Sequence, residues 1–437
     1  MSRALAIRTM ALYLPIALAL LPCAIQAPPR RRLLGAALAS AWNLVALLAV
    51  NAWAVRTGWW HFAQTPASLL GVPADLLLGW VVLWGCVPAL LLPRVSLVKV
   101  IAAAAVMDML LMPLMAPVLR LDDRWLIGEA VAIAVALIPS QLLARWTAND
   151  EHAGRRGAMQ AIVFAAGMLW LVPVIVFERA EGGWYDLRER WDAFGGLALQ
   201  AIAFLMLPGI AAVREFARRG GGTPIPFDPP RRLVTSGPYA YVANPMQLSA
   251  TLVMLGWGWM LGSWWVALAG PMAFLYGIGF ANADERATLG GRFGRDWRWY
   301  RANVPNWIPR WRPYHPAARA DAEASPARLY VAATCGPCSE VARWFTARRP
   351  LALLIVPAEE HPTRSLSRVT YDPGDGTGEE EGVAAIARAL EHIDLGWATL
   401  GWFARAPGIC PMLQLLVDAS GGEARLVTRT GMEKCAR

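Results

Sequence analysis

Cys335-Gly336-Pro337-Cys338 is the plainest chemical spacing in the chain. Two thiols this close can close and open a disulfide. A cysteine at a helix N-terminus is favoured as thiolate by the helix dipole and the free N–H groups. Cys335 is then the attacking thiol and Cys338 the resolving one. No second pair stands where it could complete four zinc ligands, and the five histidines are scattered, so no metal is expected. A second polar set brackets an apolar stretch, with Asn244-Pro245 before it and Asp284-Glu285 after it. Asn as N-cap and Pro at the first helical position start a helix that runs to about Leu261. Gly262-Ser263 punctuates it, and a second apolar helix runs from about Trp264 towards Glu285. The first is roughly 25 Å long, slightly short of the roughly 30 Å hydrocarbon core. Such a hairpin dips into the bilayer and returns, so Asn244 and Glu285 are expected together at the water interface.

The elements that must position these groups are apolar. The chain has 437 residues, 56% hydrophobic and only 17% charged, with 22 tryptophans. Soluble domains rarely have this composition, and tryptophan favours the membrane–water boundary. Runs of spanning length lie near residues 9–27, 34–54, 69–92, 97–118, 126–144, 158–177 and 195–213. The formal charge of +9 sits largely in alternate loops. Those loops hold Arg30–Arg32, Arg94 with Lys99, Arg145 with Arg155-Arg156, and Arg214 with Arg218-Arg219. The positive-inside rule places them, and everything from the hairpin onward, in the cytoplasm. The expected location is the inner (plasma) membrane, multi-pass. No basic helix or stacking platform stands apart from the spans, so no nucleic-acid partner is expected. Asp108 and Glu129 fall inside apolar spans, where carboxyls are paired or functional. The glycine strings Gly220–Pro224 and Gly374–Gly378 follow no expected strand and open no helix, which excludes a dinucleotide-binding turn.

The stretch around the hairpin resembles the isoprenylcysteine carboxyl methyltransferase and phospholipid N-methyltransferase group of membrane enzymes. The matching residues are Leu233-Val234, Gly237-Pro238-Tyr239, Tyr241-Val242 and Asn244-Pro245-Met246. Beyond the hairpin they continue with Glu285, Leu289, Phe293-Gly294, Tyr300, Val304 and Pro309. The chain departs from the group at Ala243, where an Arg is usual, and at Gln247, Ser249 and Asp284. The resemblance implies S-adenosyl-L-methionine as cofactor and a lipid or lipidated acceptor. It also implies that Tyr239, Tyr241, Asn244, Pro245, Gln247, Glu285 and Tyr300 line the cofactor cavity, with Asn244 and Glu285 closest to the chemistry. No general base stands out; a carboxylate acceptor needs none, whereas an amine must lose a proton. Sterol-type reductases have a similar hairpin start, so an NADPH-dependent membrane reductase is the competing enzyme class.

Pro and Ala dominate residues 313–326, a linker composition. Beyond it, Ala327–Thr334 reads as a buried strand, Ser339–Arg349 as an amphipathic helix and Leu351–Pro357 as a second strand. Residues 361–382 read as a loose acidic insertion, Gly382–His392 as a helix, and Cys410–Val427 as a strand, a turn and a strand. This tail is similar to thioredoxin-like domains, which implies that Pro411 is cis against the cysteine pair, that Cys410 lies near it, and that Cys335 meets a thiol partner. The fold expected is an α-helical polytopic membrane protein of about seven spans plus a helical hairpin, with a C-terminal α/β thioredoxin-like domain. The segments are spans over residues 1–194, a methyltransferase-like core over 195–312, a linker over 313–326 and the cytoplasmic tail over 327–437. The expected activity is methylation of a lipophilic acceptor, with a membrane-anchored thiol–disulfide oxidoreductase as the alternative.

Overall fold

The structure is a computed structural model that describes residues 2–180, 183–194, 196–223, 230–276, 282–316, 325–428 and 431–434. Seven of its helices are long and apolar enough to cross a membrane. They are Arg3–Ile25, Arg30–Thr57, Ala74–Leu91, Leu97–Met115, Trp125–Asn149, Ala153–Phe177 and Gly196–Gly220. Each coincides with one of the apolar runs of the sequence, because a segment crossing hydrocarbon must satisfy its backbone internally. The chain divides into two compact units, Met1–Tyr185 and Asp186–Arg437.

The first unit is a helical bundle. Its core gathers Leu47, Leu48, Trp84 and Leu137 from three of the spans. Asp108 and Glu129 are both buried there, 2% and 5% exposed, close enough to influence each other's charge.

In the second unit Gly196–Gly220 packs against Pro245–Met260, which folds back on Trp264–Tyr276 as an antiparallel hairpin. Ser249 donates to Leu205 O across the first contact. Gly258 lets the hairpin helices touch, since a Cβ there would strike the Ala267 backbone. Gly262, at φ +63°, turns the chain between them in a conformation that favours glycine. The helix Asn282–Asn303 follows. The side chains of Asp284 and Glu285 lie outside the described residues, as does Cys435.

The C-terminal region of the same unit holds a four-stranded sheet, ordered Leu353–Pro357, Ala327–Val331, Thr370–Asp372, Glu380–Glu381. The first pair is parallel, with the helix Gly336–Ala347 in the crossover; the other two pairings are antiparallel. Leu329, Val331, Phe345, Tyr371, Ala385 and Ala389 form its core.

The C-terminal region departs from the sequence expectation in two places. Residues 361–382 are not a loose insertion: Thr370–Asp372 and Glu380–Glu381 complete the sheet, and Leu366 and Thr370 are fully buried. The acids that made this stretch look solvated are paired, Arg364 with Glu379 at 2.6 Å and with Glu381 at 2.7 Å. Cys410 and Pro411 do not precede a strand, and Pro411 is not cis. They open the helix Ile409–Val417, rich in Leu, Met and Gln, which favour helices. Pro411 sits in the first turn, where its missing N–H costs nothing. Short apolar runs carry too little periodicity to separate strand from helix.

Candidate functional site

Gly237–Ala240 forms a single 3-10 turn just before the hairpin. Gly237 has φ +61°, and a Cβ there would stand 3.2 Å from Glu215 Cγ. The turn therefore rests directly on the C-terminal end of the span Gly196–Gly220, where Ser236 Oγ donates to Glu215 Oε1. Tyr239 packs on Phe216 with ring centroids 6.1 Å apart. Tyr300, beyond the hairpin, donates its hydroxyl to Tyr239 O at 2.8 Å and meets Tyr314 edge-on.

The segment after Asn282–Asn303 returns along the hairpin start. Ala243 N donates to Pro305 O (2.8 Å), Asn244 N to Asn306 O (3.3 Å), Arg310 N to Tyr241 O (3.0 Å) and Tyr314 N to Ala240 O (2.8 Å). Both sides of the motif thus meet at one place, with Tyr239, Asn244, Pro245 and Tyr300 all buried. Pro245 occupies the first helical position as expected, but Asn244 does not cap the helix: its side chain makes no capping hydrogen bond. Asn244 is nonetheless buried, 3% exposed. Gln247 is half-buried on the same first turn.

Tyr241 turns the other way. Its hydroxyl donates to Glu391 O at 2.8 Å and its ring meets Trp402 at an interplanar angle of 82°, both in the C-terminal region. Burial, reinforced by the Glu391 and Asp394 carboxylates, pushes its phenol well above the ordinary range. Beside it lies a buried ion network. Arg388 binds Glu215 at 3.0 Å and Glu391 at 2.7 Å; Arg405 binds Glu391 at 3.1 Å and Glu380 at 2.8 Å; Arg219 binds Glu215 at 2.9 Å. Burial opposes the charge on Arg388, but Glu215 and Glu391 outweigh it and hold the guanidinium protonated. The sequence reading missed this network, because Arg388, Glu391 and Arg405 look like ordinary surface charges of amphipathic helices.

Between the turn and the C-terminal sheet lies a cavity of about 460 Å³. Arg232, Ser236 and Gly237 line one side, and Tyr314, Asp375 and Glu391 another. Two histidines also face it. His392 Nδ1 faces Leu351 O and Nε2 faces Tyr371 Oη, both at 2.8 Å, and its ring is 5.6 Å from that of His315. Burial, reinforced by Arg219, lowers His315 to about 4; burial, reinforced by His315, lowers His392 to about 3. Both are neutral at pH 7. His392 then donates from Nδ1 and accepts the Tyr371 proton at Nε2.

Cys335 and Cys338 are joined as a disulfide at the N-terminus of Gly336–Ala347, where Cys335 Sγ also accepts from Cys338 N at 3.3 Å. Glu359 organises the preceding turn, accepting from Ala333 N at 3.1 Å and Thr334 N at 3.3 Å. These bonds outweigh its partial burial and lower its carboxyl below the usual range. Leu366, Val427 and Ala358 pack around the pair. Cys410 and Pro411 lie instead on a helix that packs against Val383–Leu390 and Leu395–Ala404. Among the described residues no group of His, Cys, Asp and Glu could hold a metal ion.

Residues 194–295 match the family model of phospholipid methyltransferases. The matched segment takes in the seventh candidate span, the Gly237 turn and the hairpin, the elements that converge on the buried residues above. The match supports a membrane methyltransferase built on these elements. No curated protein and no solved structure matches the chain.

Proposed function

We propose that the chain transfers the methyl group of S-adenosyl-L-methionine to a lipophilic acceptor, a carboxylate or an amine, at the hairpin mouth. The observation that carries this is the phospholipid methyltransferase match over the span and hairpin whose ends gather Tyr239, Asn244, Pro245, Gln247 and Tyr300. The residues present suit such a cofactor. A cavity of about 460 Å³, of the size that small-molecule sites have, is lined by Ser236, Gly237 and Ala240 of the turn and by the C-terminal region, not by Tyr239, Asn244 or Gln247 themselves. Arg232 offers a cation for a carboxylate, Asp375, already paired with Arg219 at 2.8 Å, an acceptor for ribose hydroxyls, and Tyr314 an aromatic surface. The cofactor supplies a sulfonium methyl. The protein aligns the acceptor and excludes water, and Asn244 and Glu285 are the polar groups assigned to hold the cofactor. The loop charges support an inner-membrane location with this site on the cytoplasmic side. Calorimetric titration of the purified protein in detergent with S-adenosyl-L-methionine tests the reading. Binding that Glu285→Ala abolishes is expected; binding of NADPH instead would assign the chain to the reductases. A lipid species heavier by one methyl in cells that carry the gene would identify the acceptor.

The disulfide at the head of Gly336–Ala347 favours a second activity in the tail. A parallel β-α-β unit followed by two antiparallel strands suits a thioredoxin-like domain. Reduced Cys335 would attack a partner disulfide, and Cys338 would displace the partner thiol, leaving the pair oxidised and the partner reduced by two electrons. Trapping with Cys338→Ser tests it, and a trap that captures no thiol protein counts against it.

A further inference from the structure

The helices Leu395–Ala404 and Ile409–Val417 are turned inside out by the standard of a water-soluble surface. In the second, the polar Gln414 faces the protein: Oε1 accepts from Val383 N at 2.9 Å and Nε2 donates to Asp418 Oδ1 at 2.8 Å. The apolar side chains face outward, with Leu415 69% and Leu416 56% exposed and Met412 close behind. Leu400 and Phe403 extend the patch along the first helix. Thr399 turns its hydroxyl back onto Leu395 O at 2.8 Å, which removes a polar group from the outer face. The charges at the helix ends are also satisfied. Asp394 caps Trp397 N, Arg405 is paired with Glu391, and Asp418 is paired with Arg368. Polar groups paired inward and apolar groups turned outward is the arrangement that hydrocarbon, not water, selects.

What covers the patch follows from its neighbour. Leu395–Ala404 packs against Gly196–Glu215, part of a candidate membrane span, and Arg214 donates to Arg405 O at that contact. The pair therefore packs on a helix that is long and apolar enough to cross a membrane. Leu395–Ala404 meets the helical run Ile409–Gly422 at 89°. Leu395–Ala404 and Ile409–Val417 are each about 15 Å long, about half of the hydrocarbon thickness. We propose that this bent pair lies in one leaflet of the bilayer, with Leu400, Phe403, Met412, Leu415 and Leu416 against phospholipid acyl chains. The tail is then seated in the membrane beside the cavity, not tethered above it. This does not depend on the methyl-transfer reading.

The test uses the full chain in phosphatidylcholine vesicles in which a fraction of the lipid carries a diazirine on its acyl chain. After photolysis, adducts are mapped by mass spectrometry. Phe204, 57% exposed on the span Gly196–Gly220, is the internal standard. Adducts on residues 409–417 within about threefold of those at Phe204 are expected for a lipid-seated pair. Adducts at Phe204 with about tenfold fewer on 409–417 would overturn the proposal, whether water or a second copy of the chain covers the face. Absence of adducts at both would overturn it together with the membrane placement of that span.

Discussion

Arg388 is the residue on which most of the buried polarity in the second unit depends. Removing it as Arg388→Ala would leave Glu215 and Glu391 facing each other without their shared cation. Breaking a buried pair in this way typically costs about 3–5 kcal/mol, so thermal unfolding in detergent should drop sharply. Tyr241→Phe is a milder test of the same junction. It leaves the Glu391 carbonyl without its donor at the loss of about 1–2 kcal/mol, and it should not alter binding of S-adenosyl-L-methionine if Tyr241 only joins the tail to the core. The histidines give a pH signature. Folded His315 and His392 titrate near 4 and 3, below the ordinary value near 6.5. As pH falls below about 6.5 the unfolded chain takes up protons that the folded chain refuses. Stability contributed by the neutral rings is present above that pH and is lost on the way down towards 3. The slope should be on the order of 1 kcal/mol per histidine per pH unit. Melting temperature followed from pH 7 to pH 4 should fall, and His392→Gln should flatten the fall.

At the scale of elements, the hairpin is set by two glycines. Gly258→Ala would push a methyl into the Ala267 backbone, forcing the helices apart at a cost of about 1–3 kcal/mol. Its melting temperature should fall while the helical signal of the folded state is retained. The hairpin start also separates two roles that the sequence could not. Asn244-Pro245 has the composition of a helix cap, yet only Pro245 fulfils it, and the Asn244 amide stays buried without capping. Asn244→Ala should therefore leave thermal stability nearly unchanged and weaken cofactor binding; a large stability loss with intact binding would remove Asn244 from the site. The cysteine helix behaves as its sequence suggested, whereas Ile409–Val417 does not. Its run of apolar residues covers the outward side of a helix rather than the face of a strand.

At the scale of the molecule, the sheet, its helices and the methyltransferase-like core share one compact unit. The tail is joined to the core through Tyr241, Arg388 and Arg405, so the isolated tail is not the preparation in which to assay the cysteine pair. With the full chain, reduction of insulin by dithiothreitol should be accelerated, and Cys335→Ser should lose the acceleration. An unchanged rate would leave the disulfide as a structural bond.

The seven spans and the hairpin were legible in the sequence because crossing hydrocarbon requires long uninterrupted apolar runs, a constraint that local composition satisfies by itself. The strand, turn and helix around Cys335 were legible because glycine, proline and amphipathic spacing act over a few residues. The ion network, the cavity and the inverted polarity of Ile409–Val417 were not, because they depend on partners far apart in the chain, 173 residues for Glu215 and Arg388. Whether an arginine is solvated or buried between two glutamates is decided by what the chain folds against it, and only the tertiary structure supplies that.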